Sequence, residues 1–108
     1  MVKLPVTFKM FDDEVVLIAD KYANNGRLAI LAQSTAGEPY GVLSVNLPDE
    51  CSLCGYEFFA KNYSENEELF KLALGTVMFD VMGFCRGFPT LKIKKEYRHL
   101  IPVEEAKS

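Results

Sequence analysis

Apolar and polar residues alternate along most of the first 47 positions, which is the period of a β-strand with one buried face. In residues 4–11, Val6, Phe8 and Met10 fall on one side of such a strand. Residues 14–22 are apolar on both sides, which is typical of a central strand. The pattern predicts four strands, over residues 4–11, 14–22, 27–33 and 40–47.

Turn-forming residues separate these strands. Asn25-Gly26 stands between two apolar runs, and this dipeptide favours a two-residue hairpin turn because both positions accept positive φ. Asp12-Asp13 is predicted to form the turn before the second strand, and residues 36–39 the turn before the fourth. Strands joined by short turns pair with their neighbours, so this half predicts a meander of antiparallel hairpins.

The second half contains the only predicted helix, over residues 64–75. Ser64 with Glu67 three residues later forms a capping-box pattern, and Gly75 suits the left-handed position that follows a helix. Three shorter segments alternate or are β-prone, and Gly83 and Gly87 bracket a turn between the last two; these predicted strands cover residues 56–63, 76–81 and 88–94. The fold class is therefore α+β: an antiparallel sheet of six or seven strands packed by one short helix.

Length and composition suit a small cytoplasmic protein. The 108 residues predict a single domain over 1–108, with a polar tail after about residue 101 that frays. The longest apolar run is shorter than the ~20 residues of a membrane span, and the N-terminus lacks a signal-peptide pattern. Three cysteines, an odd number, do not form a disulfide framework.

The charge is distributed unevenly along the chain. Residues 1–80 carry six basic and twelve acidic side chains, whereas residues 81–108 carry six basic and three acidic ones. Such asymmetry can mark two partner-facing surfaces, although two solvated faces explain it equally. The acidic residues in turns or on exposed faces are candidates for protein binding: Asp12, Asp13, Glu14, Asp20, Asp49 and Glu50.

A basic cluster near the C-terminus is the alternative interaction site. Its members are Lys92, Lys94, Lys95, Tyr97 and Arg98. The cations can neutralise phosphates and the tyrosine can stack on a base, so the cluster is a candidate for nucleic-acid binding. The competing interpretation is an edge strand protected by lysines.

No pattern in the chain predicts catalysis. Cys51 and Cys54 form a C-x-x-C motif that could bind zinc together with Cys85 and His99, but the last two are isolated residues and reduced thiols explain the cysteines as well. The single histidine lies near the tail, where a preorganised site is least expected. We therefore expect a protein that is not an enzyme and holds no metal or cofactor.

Three segments carry a resemblance to a known family. They are YANNGR at residues 22–27, VNLP at 45–48 and YSENE at 63–67. Over residues 14–75 the chain resembles a small bacterial family, a domain of unknown function found on conjugative elements, plasmids and prophages. The family supplies no site residues. Its context implies a protein of a mobile element, and such small acidic proteins are often antagonists of host defence, including anti-CRISPR and antirestriction proteins.

Composition and resemblance together favour a protein-binding antagonist. An acidic surface can place carboxylates where a nuclease complex would hold phosphates, so a host defence nuclease complex is the candidate partner. The alternative is an accessory nucleic-acid-binding protein of a mobile element that uses the basic C-terminal strand.

Overall fold

The structure, a computed structural model, describes residues 2–22, 27–46 and 56–101. Within these residues the chain forms eight strands, one α-helix and two 3₁₀ turns, the latter at Ser64–Asn66 and Lys95–Leu100. The strands are β1 (Val2–Met10), β2 (Asp13–Lys21), β3 (Leu28–Ser34), β4 (Pro39–Val42), β5 (Ser44–Val45), β6 (Glu57–Ala60), β7 (Phe79–Cys85) and β8 (Phe88–Ile93); the helix is α1 (Glu67–Gly75).

The first sheet is the predicted meander, in the order β1-β2-β3-β4 with every pair antiparallel. The prediction that β2 is a central strand is confirmed, since it lies between β1 and β3 and Val15 to Ala19 are all buried. The β1–β2 turn is one residue earlier than predicted. Met10 pairs with Asp13, and Phe11 and Asp12 form the turn with φ of 52° and 69°. These are the signs of φ that a type I′ turn requires.

The remaining strands form a second sheet, in the order β5-β6-β8-β7, so the prediction of one six- or seven-stranded sheet is wrong. The predicted strand 40–47 divides at Leu43. The Leu43 N–H donates to the Ile30 carbonyl in the first sheet, and its carbonyl accepts the Lys61 N–H in the second. One strand therefore passes from one sheet to the other, as strands do at the corners of two-sheet folds.

A single apolar cluster joins both sheets and the helix. Leu17 and Ile30 contribute from the first sheet, and Phe58 and Leu91 from the second, each with an exposed fraction of 1% or less. The Phe58 ring meets Phe79 edge to face with centroids 5.5 Å apart. Helix α1 closes the cluster through two buried residues, Leu69 and Ala73.

The helix does not begin with the predicted capping box. Ser64 opens a 3₁₀ turn with φ of 59°, and no side-chain cap bond forms there. The helical N-cap is Asn66, which is 5% exposed and donates its side-chain N–H to the Val42 carbonyl at 2.7 Å. The asparagine thus fastens the start of α1 to strand β4 instead of capping its own helix.

We expect Asn66→Ala to lower the free energy of unfolding by about 1–2 kcal/mol, because it removes a hydrogen bond from a buried position. Ser64→Ala is the matched control, and its denaturant midpoint should stay near that of the wild type. If instead Ser64→Ala were the more destabilising change, a side-chain cap at Ser64 would be supported. Urea unfolding followed by circular dichroism measures both variants.

The predicted role of Gly75 is also wrong. Helix α1 runs through Gly75, and the left-handed residue after it is Val77, with φ of 55°. The Thr76 N–H and hydroxyl both bond the Ala73 carbonyl, which closes the last turn. A β-branched residue at positive φ is rare, and here it takes the position for which a glycine was predicted.

The β7–β8 hairpin turns at Arg86 and Gly87, with φ of 53° and 84°. Gly83 lies inside β7 and does not belong to the turn that it was predicted to bracket. The predicted Asn25-Gly26 turn falls outside the described residues, although the pairing of β2 with β3 continues to the bond from the Tyr22 N–H to the Arg27 carbonyl. No helix in the described part of the chain has the length and apolarity to cross a membrane.

Candidate functional site

An open groove lies between the β1–β2 turn, strand β4 and the start of α1. Its volume is about 570 Å³. Its lining includes Phe11, Tyr40 and Val42 together with Lys61 and Leu69. A groove of this size can accept side chains of a partner or a small ligand.

Strand β4 and helix α1 are in close contact where they line the groove. A Cβ placed on Gly41 would lie 3.8 Å from the Leu69 Cδ2 atom, an ordinary van der Waals distance. The Asn66 bond to Val42 holds the next residue of the strand. The groove is therefore built on packed elements, except at its rim, which is formed by the β1–β2 turn.

Tyr40, which lines the groove from strand β4, donates its hydroxyl proton to the Asp13 carboxylate next to the β1–β2 turn. This hydrogen bond raises the pKa of Tyr40 to about 12, with smaller contributions from desolvation and from the negative charges of Asp13 and Glu38. The raised pKa favours the neutral phenol. At neutral pH Tyr40 is therefore a neutral phenol that donates its hydroxyl proton to Asp13.

The Tyr40 titration provides a direct test of this contact. The contribution of the bond to stability is present below the ordinary tyrosine pKa of 10 and is lost as the pH rises through about 12, because the folded state favours the protonated phenol. Asp13→Asn should bring the Tyr40 pKa back toward 10. Ultraviolet difference titration at alkaline pH, with Tyr40→Phe to assign the signal, measures it. An unchanged pKa in Asp13→Asn would show that the contact does not form in solution.

The structure brings together three of the six acidic candidates. Asp12, Asp13 and Glu14 are all exposed at the β1–β2 turn. Glu14 also accepts the Thr7 hydroxyl at 2.8 Å, which orders its side chain. Glu38, exposed before β4, is close enough to act on Tyr40 and so belongs to the same group.

The other acidic candidates do not join this group. Asp20 is half-buried near the far end of β2, seven residues and roughly 23 Å along the strand from Asp13. One of its carboxylate oxygens accepts the N–H of the next residue, Lys21. Asp49 and Glu50 lie outside the described residues.

Phe11 is the residue at this site that the sequence pattern missed. Alternation placed it at the end of a strand, but it occupies the turn and, at 75%, is the most exposed large apolar residue in the described part of the chain. An aromatic residue rarely adopts the positive φ seen here. The only available signal was the short run FDD, in which two carboxylates follow an aromatic residue.

The basic candidates are mostly engaged within the fold. Lys94 forms an ion pair with Asp80 at 3.5 Å, and Tyr97 packs partly buried against the core. The Arg98 Nε donates to the Ile93 carbonyl at 2.9 Å, and its guanidinium lies over the Tyr56 ring. Lys92 is half-buried on β8 and Lys95 is exposed. The structure therefore does not present the five residues as one exposed basic surface.

The possible zinc ligands are only partly described. Cys85 is buried at the end of β7 and His99 is exposed in the 3₁₀ turn Lys95–Leu100, while Cys51 and Cys54 lie outside the described residues. Among the residues that are described, no group of three or more His, Cys, Asp or Glu side chains could hold a metal ion.

Comparisons of the chain with protein-family models, with curated proteins and with solved structures found no match.

Proposed function

We propose that the protein acts without catalysis, by binding a basic surface of a partner protein through the acidic end of its first sheet. This acidic end consists of Phe11, Asp12, Asp13, Glu14 and Glu38. The observation that carries the proposal is the exposed Phe11 ring standing among these carboxylates, beside the groove.

The composition of the acidic end fits protein recognition. Aromatic residues are enriched among the side chains that dominate binding energies, and a surrounding ring of charge steers the encounter and selects the partner. Phe11 can enter an apolar pocket of the partner while the carboxylates meet lysines and arginines around it. The groove next to Phe11 can in turn receive a side chain of the partner.

The partner class follows from the charge pattern and the resemblance. Proteins that bind nucleic acid present basic channels, and carboxylates grouped at one end of a sheet can occupy such a channel in place of phosphates. A mobile element gains from blocking a host defence nuclease complex in this way. We therefore propose an antagonist of the anti-CRISPR or antirestriction type.

Affinity capture from a bacterial host tests the proposal. Immobilised wild-type protein is exposed to a lysate treated with nuclease, so that nucleic acid cannot bridge the proteins, and bound proteins are identified by mass spectrometry. We expect a nucleic-acid-processing protein to be enriched by the wild type and lost with Phe11→Ser. Phe84→Ser, which changes a similarly exposed phenylalanine in strand β7, is the matched control and should retain the partner.

Two results would contradict the proposal. One is capture of the same proteins by the wild type and by Phe11→Ser. The other is direct binding of bare DNA or RNA by the purified wild type at low salt, which would favour the accessory nucleic-acid-binding function.

A further inference from the structure

One polar atom in the lining of the groove has no hydrogen-bond partner among the described residues. It is the side-chain oxygen Oδ1 of Asn66, whose amide nitrogen donates to the Val42 carbonyl at 2.7 Å. Asn66 lines the groove and is only 5% exposed. In the described part of the chain, no side-chain nitrogen or oxygen is buried without a partner. The oxygen is therefore open to the groove, where it can accept a hydrogen bond from a bound group.

The cation in the lining is directed toward a neighbouring ring. Among the described residues that line the groove, only Lys61 is charged. Its Nζ lies 5.3 Å from the centroid of the Tyr63 ring, and Tyr63 is not one of these lining residues. Lysine side chains lay their aliphatic stem along apolar surface while the charged end finds a polar or aromatic partner. The contact therefore draws the ammonium toward Tyr63, and the stem of Lys61 can line the groove.

Negative charge lies beside the groove at Tyr40. This residue lines the groove and donates its hydroxyl proton to Asp13, and the charges of Asp13 and Glu38 both act on that hydroxyl. An ionised carboxylate has about four acceptor positions on its two oxygens, so the bond from Tyr40 leaves Asp13 able to accept further donors. This side of the groove therefore attracts a cation that carries several N–H groups.

The remainder of the lining is apolar or aromatic. It includes Met10, Phe11, Val42 and Leu69, together with the ring of Tyr40. An arginine side chain matches this combination, because its three methylene groups can lie against apolar surface and its flat guanidinium stacks on aromatic rings. The guanidinium also carries five N–H donors in one plane, whereas the lysine ammonium is a compact and strongly hydrated charge. Arginine is therefore favoured over lysine as an occupant.

We propose that the groove is a binding site for an arginine side chain of the basic partner. The stem of the arginine lies against Val42 and Leu69. The guanidinium donates a hydrogen bond to the Asn66 Oδ1 and is attracted by the charges of Asp13 and Glu38. The source of the arginine rests on the proposed function, but the site itself is testable with the purified chain alone.

Nuclear magnetic resonance titration of the full chain with N-acetylarginine amide tests the site. We expect saturable shifts of the Asn66 side-chain amide and of the Leu69 methyl groups, with a dissociation constant on the order of 1 mM for a single amino acid. N-acetylcitrulline amide has nearly the same shape without the charge, and N-acetyllysine amide has the charge without the planar donors. Both should bind about tenfold more weakly.

Two results of this titration would overturn the proposal. One is the lack of any saturable shift up to about 20 mM N-acetylarginine amide, which would exclude an affinity of useful strength. The other is equally tight binding of N-acetyllysine amide, which would make the groove an unselective cation site.

Substitutions locate the interaction within the groove. Asn66→Ala removes the acceptor and should raise the dissociation constant for N-acetylarginine amide by about tenfold. Glu38→Gln leaves the packing unchanged, since Glu38 is exposed, and should raise it about threefold at low salt. Glu96→Gln, at an exposed glutamate in the 3₁₀ turn Lys95–Leu100, is the matched control and should have no effect. Equal effects of Glu38→Gln and Glu96→Gln would show a response to net charge alone and would overturn the site.

Failure of this site and failure of the proposed function give different results. If capture from lysate depends on Phe11 but N-acetylarginine amide does not bind, the arginine site is rejected and the proposed function stands. If the amide binds in the groove and no protein is captured, the arginine site stands and the proposed partner is rejected.

Discussion

Ser44→Ala is expected to lower the free energy of unfolding by about 2–3 kcal/mol, and the melting temperature by roughly 10 °C. Ser44 is 5% exposed, and its Oγ accepts the Ile30 N–H at 3.0 Å. Ile30 is itself fully buried. Removing the hydroxyl leaves a buried N–H without its acceptor, which costs far more than the loss of an exposed hydrogen bond.

The Ser44 hydroxyl is needed because the chain passes from the first sheet to the second at this point. The Leu43 N–H bonds the Ile30 carbonyl, but the next residue already pairs with Ala60 in the second sheet. The Ile30 N–H therefore meets a side chain where a backbone carbonyl would stand in an uninterrupted ladder. Ser44 also bonds the Tyr22 hydroxyl at 2.8 Å, which holds its Oγ in place.

Tyr22→Phe is the matched control for Ser44→Ala. It removes the bond between the two hydroxyls but leaves the one to Ile30, so we expect a loss of only about 1 kcal/mol. Chemical denaturation of both variants, with the slopes compared to verify two-state unfolding, gives the difference. Equal losses in the two variants would mean that Ile30 finds another acceptor and that the passage between sheets does not depend on Ser44.

The hydrophobic pattern was sufficient to predict the strands but not how they divide between sheets. The hydrophobic pattern located β1, β2, β3 and β8 to within about two residues, because β1, β3 and β8 bury a face that repeats every second position and β2 is apolar on both faces. Across Leu43 the same alternation continues while the pairing partner changes. Side-chain periodicity reports which face is buried, and it carries no information about which strand lies alongside.

The predicted N-cap and C-terminal glycine of the helix were wrong for a related reason. The capping box of Ser64 with Glu67 and the glycine at Gly75 are local signals, which depend only on neighbouring residues in the chain. In the structure, Asn66 bonds to β4 at the start of the helix. At its end, Thr76 bonds back to Ala73, and Val77 takes the left-handed conformation in place of a glycine. Local propensity is weak compared with burial of Leu69 and Ala73 against the sheets.

Only the negative charge of the candidate site could be predicted from the sequence. The run Asp12, Asp13 and Glu14 was recognised as acidic, but its alignment with Glu38 depends on the pairing of β2, β3 and β4. The exposure of Phe11 follows from a turn that begins one residue earlier than the aspartates suggested. Aromatic residues in turns give no periodic signal, so sequence reasoning assigned Phe11 to a strand.

Charge reversal at the acidic end should produce the largest effect on partner binding. The triple variant Asp12→Lys/Asp13→Lys/Glu14→Lys is expected to weaken binding of a basic partner by on the order of tenfold to a hundredfold at low salt. The effect should shrink as salt is added, because exposed charges are screened over a Debye length of about 8–10 Å at physiological ionic strength. All three positions are exposed, so the fold should persist.

Reversal of Lys92, Lys94 and Lys95 to glutamate is the control with the same number of substitutions. It breaks the ion pair of Lys94 with Asp80, which is partly exposed and contributes little to stability. Under the proposed function this variant should capture the partner from lysate as well as the wild type does. The nucleic-acid-binding alternative predicts the reverse ranking, together with direct binding of bare DNA or RNA that falls steeply with salt. Loss of capture in the lysine variant alone would therefore reject the acidic end as the binding surface, since none of the three lysines belongs to that surface.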